Sequence, residues 1–418
     1  MKILYVCGIV PEWPQLMRTL PPLDSGAPHG NIFRLIEELS EQAACNDLKI
    51  KVLSAIAAEQ VPIMQQRWPA ASYGGDYEWV VIPKILRKAS FFCSRYFSIS
   101  GGVLRRLTQA DSLQALYYIR NIKRIFNLYQ PDLVILDDAP QFIKGLLSFV
   151  TPKKLAFYCR GDMGISRKYL HIPRLILVTN EKLGQWLREI NPQIKHIRIV
   201  GNSLSKEYDN LPWKPERFRQ EKKRIIFVGR LEPVKGLEYL IKAFAMVVGR
   251  FPTARLIIAG GSLKETGGSG NLSDFENKMR TLAAESLPPG TCHWLGWLDQ
   301  SQLVAEYQKS YMAVYPSILV EGFGMVALEA MACGLPVIAA DCPGFASLLA
   351  GGRGILLEDP KDIEKLASAI FDLMENPDKA ISIGYSGFKF AKEFSSKKAA
   401  RDFLLIIESL DSNESAPQ

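Results

Sequence analysis

The 418 residues include 48% hydrophobic and 22% charged side chains, a composition typical of globular proteins rather than of disordered or membrane-embedded ones. No window, including the start MKILYVCGIVPEW, has the pattern of a signal peptide or the apolar length of a membrane span, so we expect a cytoplasmic protein. The net charge of +8 is not gathered in a basic tail or a known reader motif, so no nucleic-acid partner is expected.

The cysteines and histidines give no sign of a disulfide framework or a metal site. The seven cysteines are odd in number and never stand in CxxC spacing, which fits a reducing compartment. The four histidines lack metal-ligand spacing. The sequence therefore predicts free thiols and no bound metal.

The first half of the chain alternates short apolar strands with amphipathic helices. Strands are predicted at residues 2–10, 50–54, 79–82, 133–137, 155–159, 175–179 and 197–200, and a helix at 31–44. This alternation predicts an α/β unit with a parallel sheet. Residues 202–223 then become polar and include two prolines, and we interpret them as a linker.

Residues 84–124 form an unusually basic segment. Nine Lys and Arg stand there against one acidic residue, Asp111, with aromatic residues interleaved. Such a mixture suits peripheral contact with an anionic membrane surface or an anionic acceptor. The alternative is a solvated helical face whose aromatic side chains lie in the core.

The second half repeats the strand–helix alternation. Strands are predicted at 224–230, 255–259, 292–295, 312–315 and 336–340, and helices at 236–250, 275–286, 301–309 and 325–332. Two such runs predict two Rossmann-like, doubly wound domains facing a central cleft, at 1–205 and 206–390. Residues 391–418 are predicted to form a helix that packs back towards the N-terminal domain, followed by a disordered tail.

The stretch EGFGMVALE at 321–329 joins a glycine-containing loop to a helix. The start of that helix presents unpaired N–H groups and a positive dipole end, which favour a phosphate. Glu329 lies too far inside the helix to cap it, and its carboxylate is suited to accept hydrogen bonds from a ribose diol. Together with Glu321, these features suggest a nucleotide-sugar site. Candidate backbone contacts are Gly322, Phe323, Gly324, Met325 and Val326.

The stretch VGRLEPVKG at 228–236 supplies two cations to the same region. Arg230 ends a predicted strand and Lys235 precedes a predicted helix, so both can reach one diphosphate. Gly229 lies at the same strand end. Trp297 and Leu298 follow a glycine turn where backbone groups can contact a flat base, although aromatic residues near strand ends more often belong to the core.

The segments VGRLEPVKG, LGWLD, YPSILVEGFGMVALEAMACGLPVIA and GGRGILLEDP resemble the retaining glycosyltransferases of family 4, the glycosyl transferases group 1, which have the GT-B fold. The resemblance implies that the domain at 1–205 binds the acceptor and that the domain at 206–390 binds the donor. It further implies that Arg230 and Lys235 hold the donor diphosphate, that Glu321 lies beside the transferred sugar and that Glu329 binds the ribose hydroxyls. It also implies front-face attack with retention, no metal, and a UDP- or GDP-sugar as co-substrate in place of any other cofactor.

The first domain departs from the family pattern at two places. Gly26-Ala27 stands where the family has a glycine pair, and Gly26 still permits close approach to the diphosphate. Arg160 stands where many members have a histidine. Arginine does not act as a base but binds anions or sugar hydroxyls, so Arg160 and Asp162 are candidate acceptor-binding residues. An ion pair between the two at a strand end is the equal alternative.

The sequence thus predicts a retaining, metal-independent glycosyltransferase. It would move a sugar from a nucleotide diphosphate to a glycan, lipid-linked or protein acceptor in the synthesis of a cell-surface polysaccharide, glycolipid or coat glycan. It would be cytoplasmic, and peripheral at the inner membrane face if residues 84–124 contact lipid. Two alternatives remain open: a nucleotide-sugar epimerase of the same fold, and a non-catalytic sugar-nucleotide-binding or coat-associated protein.

Overall fold

The structure is a computed structural model that describes residues 1–9, 38, 48–57, 76–83, 113–160, 169–261, 274–318 and 321–412. Contacts divide the chain into two compact units. The first comprises described residues up to Val200 and those from Ala400 onwards, and the second runs from Gly201 to Ala399. The sequence predicted these boundaries near residues 205 and 390. The helix predicted at 31–44 lies outside the described residues except for residue 38.

The first unit is built on a seven-stranded sheet whose strand pairs are all parallel. Its strands are β1 (Lys2–Ile9), β2 (Lys49–Ala57), β3 (Asp76–Ile82), β4 (Leu133–Asp137), β5 (Leu155–Cys159), β6 (Leu175–Val178) and β7 (Ile197–Ile199). Its described helices include α1 (Leu113–Tyr129), α2 (Ile143–Leu146) and α3 (Glu181–Ile190). The strand order is β3-β2-β1-β4-β5-β6-β7, so the winding reverses between β1 and β4. Ligands of such sheets bind at the carboxyl ends of the strands beside this switch point.

Burial explains why the inner strands of the first sheet read as unbroken apolar runs. Every residue of β4 and β5 is buried, as expected when helices cover both faces of a parallel sheet. Leu183 and Leu187 of α3 are buried in the same core. Asn180 caps α3, because its side-chain oxygen accepts the Leu183 N–H at 2.9 Å.

The second unit is built on a six-stranded parallel sheet. Its strands are β8 (Arg224–Val228), β9 (Arg255–Ala259), β10 (Cys292–Gly296), β11 (Met312–Tyr315), β12 (Val337–Ala340) and β13 (Ile355–Leu357). Its helices include α4 (Leu237–Arg250), α5 (Asp274–Ser286), α6 (Gln300–Lys309), α7 (Met325–Ala332), α8 (Pro343–Leu349), α9 (Ile363–Glu375) and α10 (Pro377–Ala391). The order β10-β9-β8-β11-β12-β13 is the Rossmann order, with its switch point between β8 and β11.

Residues 202–223 are not a linker, as the sequence had suggested, but part of the second unit. Leu204, Tyr208 and Phe218 are buried in its core. The Leu204 N–H donates to the Phe394 carbonyl at 2.9 Å. Polar residues and prolines suggested solvent exposure, yet Pro215 begins a short 3-10 helix that turns Phe218 inward.

The final helix, α11 (Ser396–Ser412), contributes its residues from Ala400 onwards to the first unit. There the Arg174 guanidinium donates to the Leu410 carbonyl at 2.9 Å. The tail predicted to be disordered lies, from residue 413, outside the described residues.

The basic segment is described only from residue 113, on α1. Arg120, Lys123 and Arg124 are exposed there, and Arg124 pairs with Glu78 at 3.0 Å. Among the described residues, no helix is long and apolar enough to cross a membrane. Membrane contact by this segment stays a prediction.

Candidate active site

Two loops meet at the switch point of the second sheet. The β8 loop is residues 229–236, and the β11 loop has described residues 316–318 and 321–324. The Ile318 N–H donates to the Val234 carbonyl at 2.9 Å, and the Ser317 hydroxyl donates to the same oxygen at 3.1 Å. Because β8 and β11 are neighbours, the sheet brings the VGRLEPVKG and EGFG segments together.

Lys235 and Glu321 form an ion pair between these loops. The Ser317 hydroxyl lies 3.2 Å from the same Glu321 oxygen and shares its one proton between that oxygen and the Val234 carbonyl. The Glu321 backbone carbonyl accepts the Gly344 N–H at 2.8 Å, which ties the loop to the start of α8. The side chains of Lys235 and Glu321 are 18% and 20% exposed, so both remain within reach of a ligand.

Arg230 lies in the β8 loop but has a different partner. Its Nη1 donates to Glu232 Oε1 at 2.9 Å, and its side chain is 42% exposed. The sequence predicted that Arg230 and Lys235 act on one diphosphate. The structure places both in one eight-residue loop, each paired with a carboxylate.

Two glycines allow close contacts in this region, one with backbone and one with an aromatic ring. Gly236 has φ +74°, and a Cβ there would lie 1.8 Å from the Pro316 carbonyl oxygen. Gly324 has φ +87°, and its Cβ would lie 2.5 Å from the Phe345 ring. Only glycine fits at either position, since both the positive φ and the contact exclude a side chain.

Helix α7 begins directly after the β11 loop, with Gly324 as its N-cap residue. The Gly324 carbonyl accepts the N–H groups of Ala327 and Leu328 at 2.9 and 3.2 Å. The N–H groups of Met325 and Val326 belong to the first turn, at the positive end of the helix dipole. Gly322 and Phe323 are buried, and the Phe323 ring packs edge-to-face on Phe394. The Phe323 side chain is therefore part of the core.

Glu329 is buried in α7, with 1% of its surface exposed. Its charge reaches Tyr307 and Tyr315, whose pKa values are raised first by burial and then by neighbours that include Glu329. Both tyrosine hydroxyls donate to the Val326 carbonyl, at 3.2 and 3.0 Å. This tyrosine pair fixes the first turn of α7. The predicted contact of Glu329 with ribose stays a prediction.

The remaining predicted donor contacts lie along the carboxyl edge of the same sheet. The Gly229 N–H donates to the Ala259 carbonyl at 3.1 Å, and the Gly260 N–H donates to the Gly296 carbonyl at 2.7 Å. Trp297 packs so closely on Gly261 that a Cβ there would lie 2.4 Å from the indole nitrogen. Trp297 and Leu298 are half-buried. Their contact with a base stays a prediction.

The first sheet carries a second group of charged residues at its own switch point. Arg160, after β5, donates from Nε to Asp137 Oδ1 at 2.8 Å. The Tyr5 hydroxyl donates to the other Asp137 oxygen at 3.1 Å, and the Arg160 guanidinium lies 4.2 Å from the centre of the Tyr158 ring. Arg160 therefore has Asp137 as a buried partner. Gly26 and Asp162, with the proposed Arg160–Asp162 pair, lie outside the described residues.

Asp138 follows β4 with the left-handed φ of +48°. Its N–H donates to the Tyr158 carbonyl at 2.9 Å, and its Oδ1 accepts the Arg160 N–H at 3.2 Å. The residue is exposed, but the surrounding protein removes water from its carboxyl group. This desolvation, with the nearby charge of Asp137, raises the pKa of Asp138 to about 6.

Among the described residues, no group of three or more His, Cys, Asp or Glu side chains is arranged to hold a metal ion. Cys7, Cys159, Cys292, Cys333 and Cys342 are free thiols. Cys45 and Cys93 lie outside the described residues.

Comparison with known families decides what the second unit is. Residues 213–390 match the family model Glycosyl transferases group 1. They form a group 1 glycosyltransferase domain. The resemblance predicted from the sequence is thereby confirmed.

Curated relatives of the group 1 domain include two proteins named D-inositol 3-phosphate glycosyltransferase. The one from Corynebacterium jeikeium (strain K411) is 35% identical over 247 residues, 56% of this chain and 57% of the relative. The one from Corynebacterium aurimucosum is 34% identical over 180 residues, 43% of this chain and 41% of the relative. The chain thus spans about half the length of these relatives.

Solved structures extend the likeness beyond the group 1 domain to nearly the whole chain. Anabaena Alr3699/HepE in complex with UDP has a TM-score of 0.66 at 19% identity, covering 98% of this chain and 100% of that one. Sucrose-phosphate synthase from Thermosynechococcus elongatus has a TM-score of 0.70 at 18% identity, covering 99% and 100%. At these identities the likeness concerns the fold, and it confirms the predicted GT-B class of two Rossmann-like domains.

Sequence reasoning assigned no role to several residues that shape these sites. In the group 1 domain these are Ser317, which holds Glu321, and Tyr307, which helps to fix α7. In the first unit they are Asp137 and Asp138. The available signals were a serine just after a buried strand and two consecutive acids at a strand end, where parallel sheets place ligand-binding residues.

Proposed function

We propose that the protein is a retaining glycosyltransferase that moves a sugar from a nucleotide diphosphate to an acceptor hydroxyl. The main support is the Lys235–Glu321 pair at the switch point of a group 1 domain. There a cation, a carboxylate and the positive start of α7 belong to loops that are bonded to each other. This is a suitable place for a sugar diphosphate, whose phosphates need positive charge and whose sugar hydroxyls need hydrogen-bond acceptors.

Departure of the nucleotide diphosphate leaves negative charge on its terminal phosphate. Lys235 would leave its ion pair with Glu321 and bind a phosphate oxygen. Arg230 would leave its ion pair with Glu232 and bind the same diphosphate. With the backbone N–H groups at the start of α7, they stabilise the developing charge electrostatically. These groups supply the positive charge that a divalent cation supplies elsewhere, so we propose a metal-independent reaction.

Glu321 would then bind the transferred sugar. Ser317 and the hydrogen bond from the Gly344 N–H hold the loop of Glu321 in place. The Glu321 carboxylate is therefore positioned to accept hydrogen bonds from sugar hydroxyls or to stabilise an oxocarbenium-like centre. We assign no enzyme nucleophile. The departing phosphate would deprotonate the acceptor on the face it leaves, which retains the anomeric configuration.

We propose UDP- or GDP-sugar as donor, with Glu329 at the ribose and no other cofactor. The UDP complex of the Anabaena protein, which shares the fold, supports the choice of a nucleotide donor. For the acceptor we propose a hydroxyl of a glycan, a lipid-linked sugar or a protein, in cell-surface polysaccharide, glycolipid or coat glycan synthesis. Arg160 would donate hydrogen bonds to it.

The test is release of nucleoside diphosphate from a panel of nucleotide sugars by the purified protein. Lys235→Ala is compared with Lys242→Ala, because Lys242 pairs with Glu238 at 2.7 Å on the same unit, outside the two loops. We expect Lys235→Ala to lower release by about 100-fold or more, and Lys242→Ala to change it by less than about twofold.

Three results would contradict the proposal. One is the absence of turnover or binding across the whole panel. Another is equal loss of activity in the two lysine variants. The third is conversion of the donor to an epimer without release of nucleoside diphosphate, which would identify an epimerase instead.

A further inference from the structure

A cavity of about 430 Å³ lies at the amino edge of the first sheet, opposite the carboxyl edge that carries Asp137 and Arg160. It forms where the chain enters two neighbouring strands. Arg174 directly precedes β6 and His196 directly precedes β7, and the Ile176 N–H donates to the His196 carbonyl at 2.9 Å. We call it the amino-edge pocket. It is lined by Leu170, His171, Pro173, Arg174, Ile176, Gln193, Ile194, Lys195 and His196.

The charge of the amino-edge pocket has one sign. Four of its nine lining side chains, those of His171, Arg174, Lys195 and His196, carry or can acquire positive charge, and none is acidic. Like charges gathered at one concave site raise the local potential and attract counterions.

The other lining residues give the pocket an apolar wall. Leu170, Ile176 and Ile194 are buried in the core of the first unit. The cationic side chains can hold a phosphate group, and the apolar wall beside them leaves room for a carbon skeleton attached to it.

Arg174 is held in place before any ligand arrives. Its N–H donates to the carbonyls of Pro152 and Leu155, at 3.1 and 2.9 Å, and its guanidinium donates to the Leu410 carbonyl. A fixed guanidinium loses little conformational freedom on binding and matches the geometry of phosphate oxygens.

We propose that the amino-edge pocket is a binding site for a phosphate-bearing anion, either a soluble phosphate compound or the headgroup of an anionic lipid. The inference does not depend on the proposed transferase activity, because its residues belong to the first unit and to the edge of the sheet away from Arg160.

Calorimetric titration with inorganic pyrophosphate tests the site. All proteins carry Arg230→Ala and Lys235→Ala, so that the proposed donor site does not contribute. Into this background we introduce His171→Gln, Lys195→Gln and His196→Gln together. The matched control is Lys144→Gln with Lys182→Gln, two exposed lysines of the same unit outside the pocket. The single reversal Lys195→Glu serves if the triple variant folds poorly.

We expect the triple variant to weaken pyrophosphate binding by about tenfold or more and the control to change it by less than about twofold. Co-sedimentation with vesicles then separates the two sources of phosphate. Vesicles of phosphatidylcholine alone are compared with vesicles of equal parts phosphatidylcholine and phosphatidylglycerol. Pocket-dependent retention on the anionic vesicles identifies a lipid headgroup, and pyrophosphate binding without retention identifies a soluble ligand.

The proposal is overturned if neither pyrophosphate nor anionic vesicles are bound. It is also overturned if the triple variant and Lys195→Glu bind them as well as the control does. Vesicle binding that survives loss of the pocket charges would point to the basic segment at residues 84–124 instead.

Discussion

Replacing Gly236 by alanine tests whether the contact between the β8 and β11 loops depends on the absence of a side chain. The new Cβ would lie 1.8 Å from the Pro316 carbonyl oxygen, in a backbone with φ +74°. Gly290 offers a matched control, since its φ is +76° but nothing lies within 4 Å of a Cβ built there. The two substitutions therefore share the backbone cost and differ in the contact.

The expected magnitudes follow from these two terms. A non-glycine residue in the left-handed region costs about 1–2 kcal/mol, which both variants lose. In Gly236→Ala the loops must also separate by about 1 Å to reach 3.0 Å, below which real Cβ contacts are essentially never found. Displacement of this kind in a packed region typically costs about 1–3 kcal/mol more.

Two measurements check this expectation. Urea unfolding should give a larger loss of unfolding free energy for Gly236→Ala than for Gly290→Ala. Hydrogen exchange should show a local effect, because the Ile318 N–H donates to the Val234 carbonyl beside Gly236. We expect faster exchange at Ile318 in Gly236→Ala alone. Equal stability losses, with unchanged exchange at Ile318 in both variants, would refute the reasoning.

Three further predictions concern other parts of the chain. Asp138→Asn should raise the melting temperature more at about pH 8 than at about pH 4. In the folded wild type the pKa of the Asp138 carboxyl group is raised to about 6, so its ionisation disfavours the folded state increasingly as the pH rises from about 4, near the ordinary pKa, through 6. Asparagine stays neutral over this range and also suits the positive φ. A difference in melting temperature that does not change with pH would contradict this. Arg217→Met should leave the free energy of unfolding unchanged or raise it by about 1–3 kcal/mol, because the buried Nη1 and Nη2 of Arg217 have no hydrogen-bond partner among the described residues. Arg217→Ala, which would leave a cavity, should lower the free energy of unfolding. A clear loss in urea unfolding of Arg217→Met would show that its charge is used. Asp299→Ala should lower the stability of the second unit by about 1 kcal/mol, because Asp299 and Gln302 form the capping box of α6; no change in urea unfolding would show that the cap contributes nothing.

The sequence predicted twelve of the thirteen described strands, missing β13, and it predicted the two loops of the proposed donor site at the ends of β8 and β11. Apolar runs such as LVILD are local signals, and they predicted the strands. The glycines after β8 and before α7 are also local signals, and they predicted the loops of the second unit. The pairing of Lys235 with Glu321 was not predictable, because it depends on which strands become neighbours at the switch point.

Residues with long-range partners account for most of what the sequence did not reveal. Arg160 pairs with Asp137 from the adjacent strand, and no residue near Arg160 in the sequence indicates that partner. Phe218 was assigned to a linker because its neighbours are polar, yet it is fully buried. In both cases composition near the residue is a poor guide, since the partner lies on another element.

The ion pair between Lys235 and Glu321 has a consequence for selectivity. A carboxylate tethered beside the lysine is an intramolecular competitor with a high effective concentration. A lone chloride or phosphate ion offers the lysine no more than Glu321 already does. A ligand displaces the carboxylate favourably only when it contacts several groups at once, including the released glutamate. The Lys235–Glu321 ion pair therefore disfavours the binding of a single small anion at Lys235.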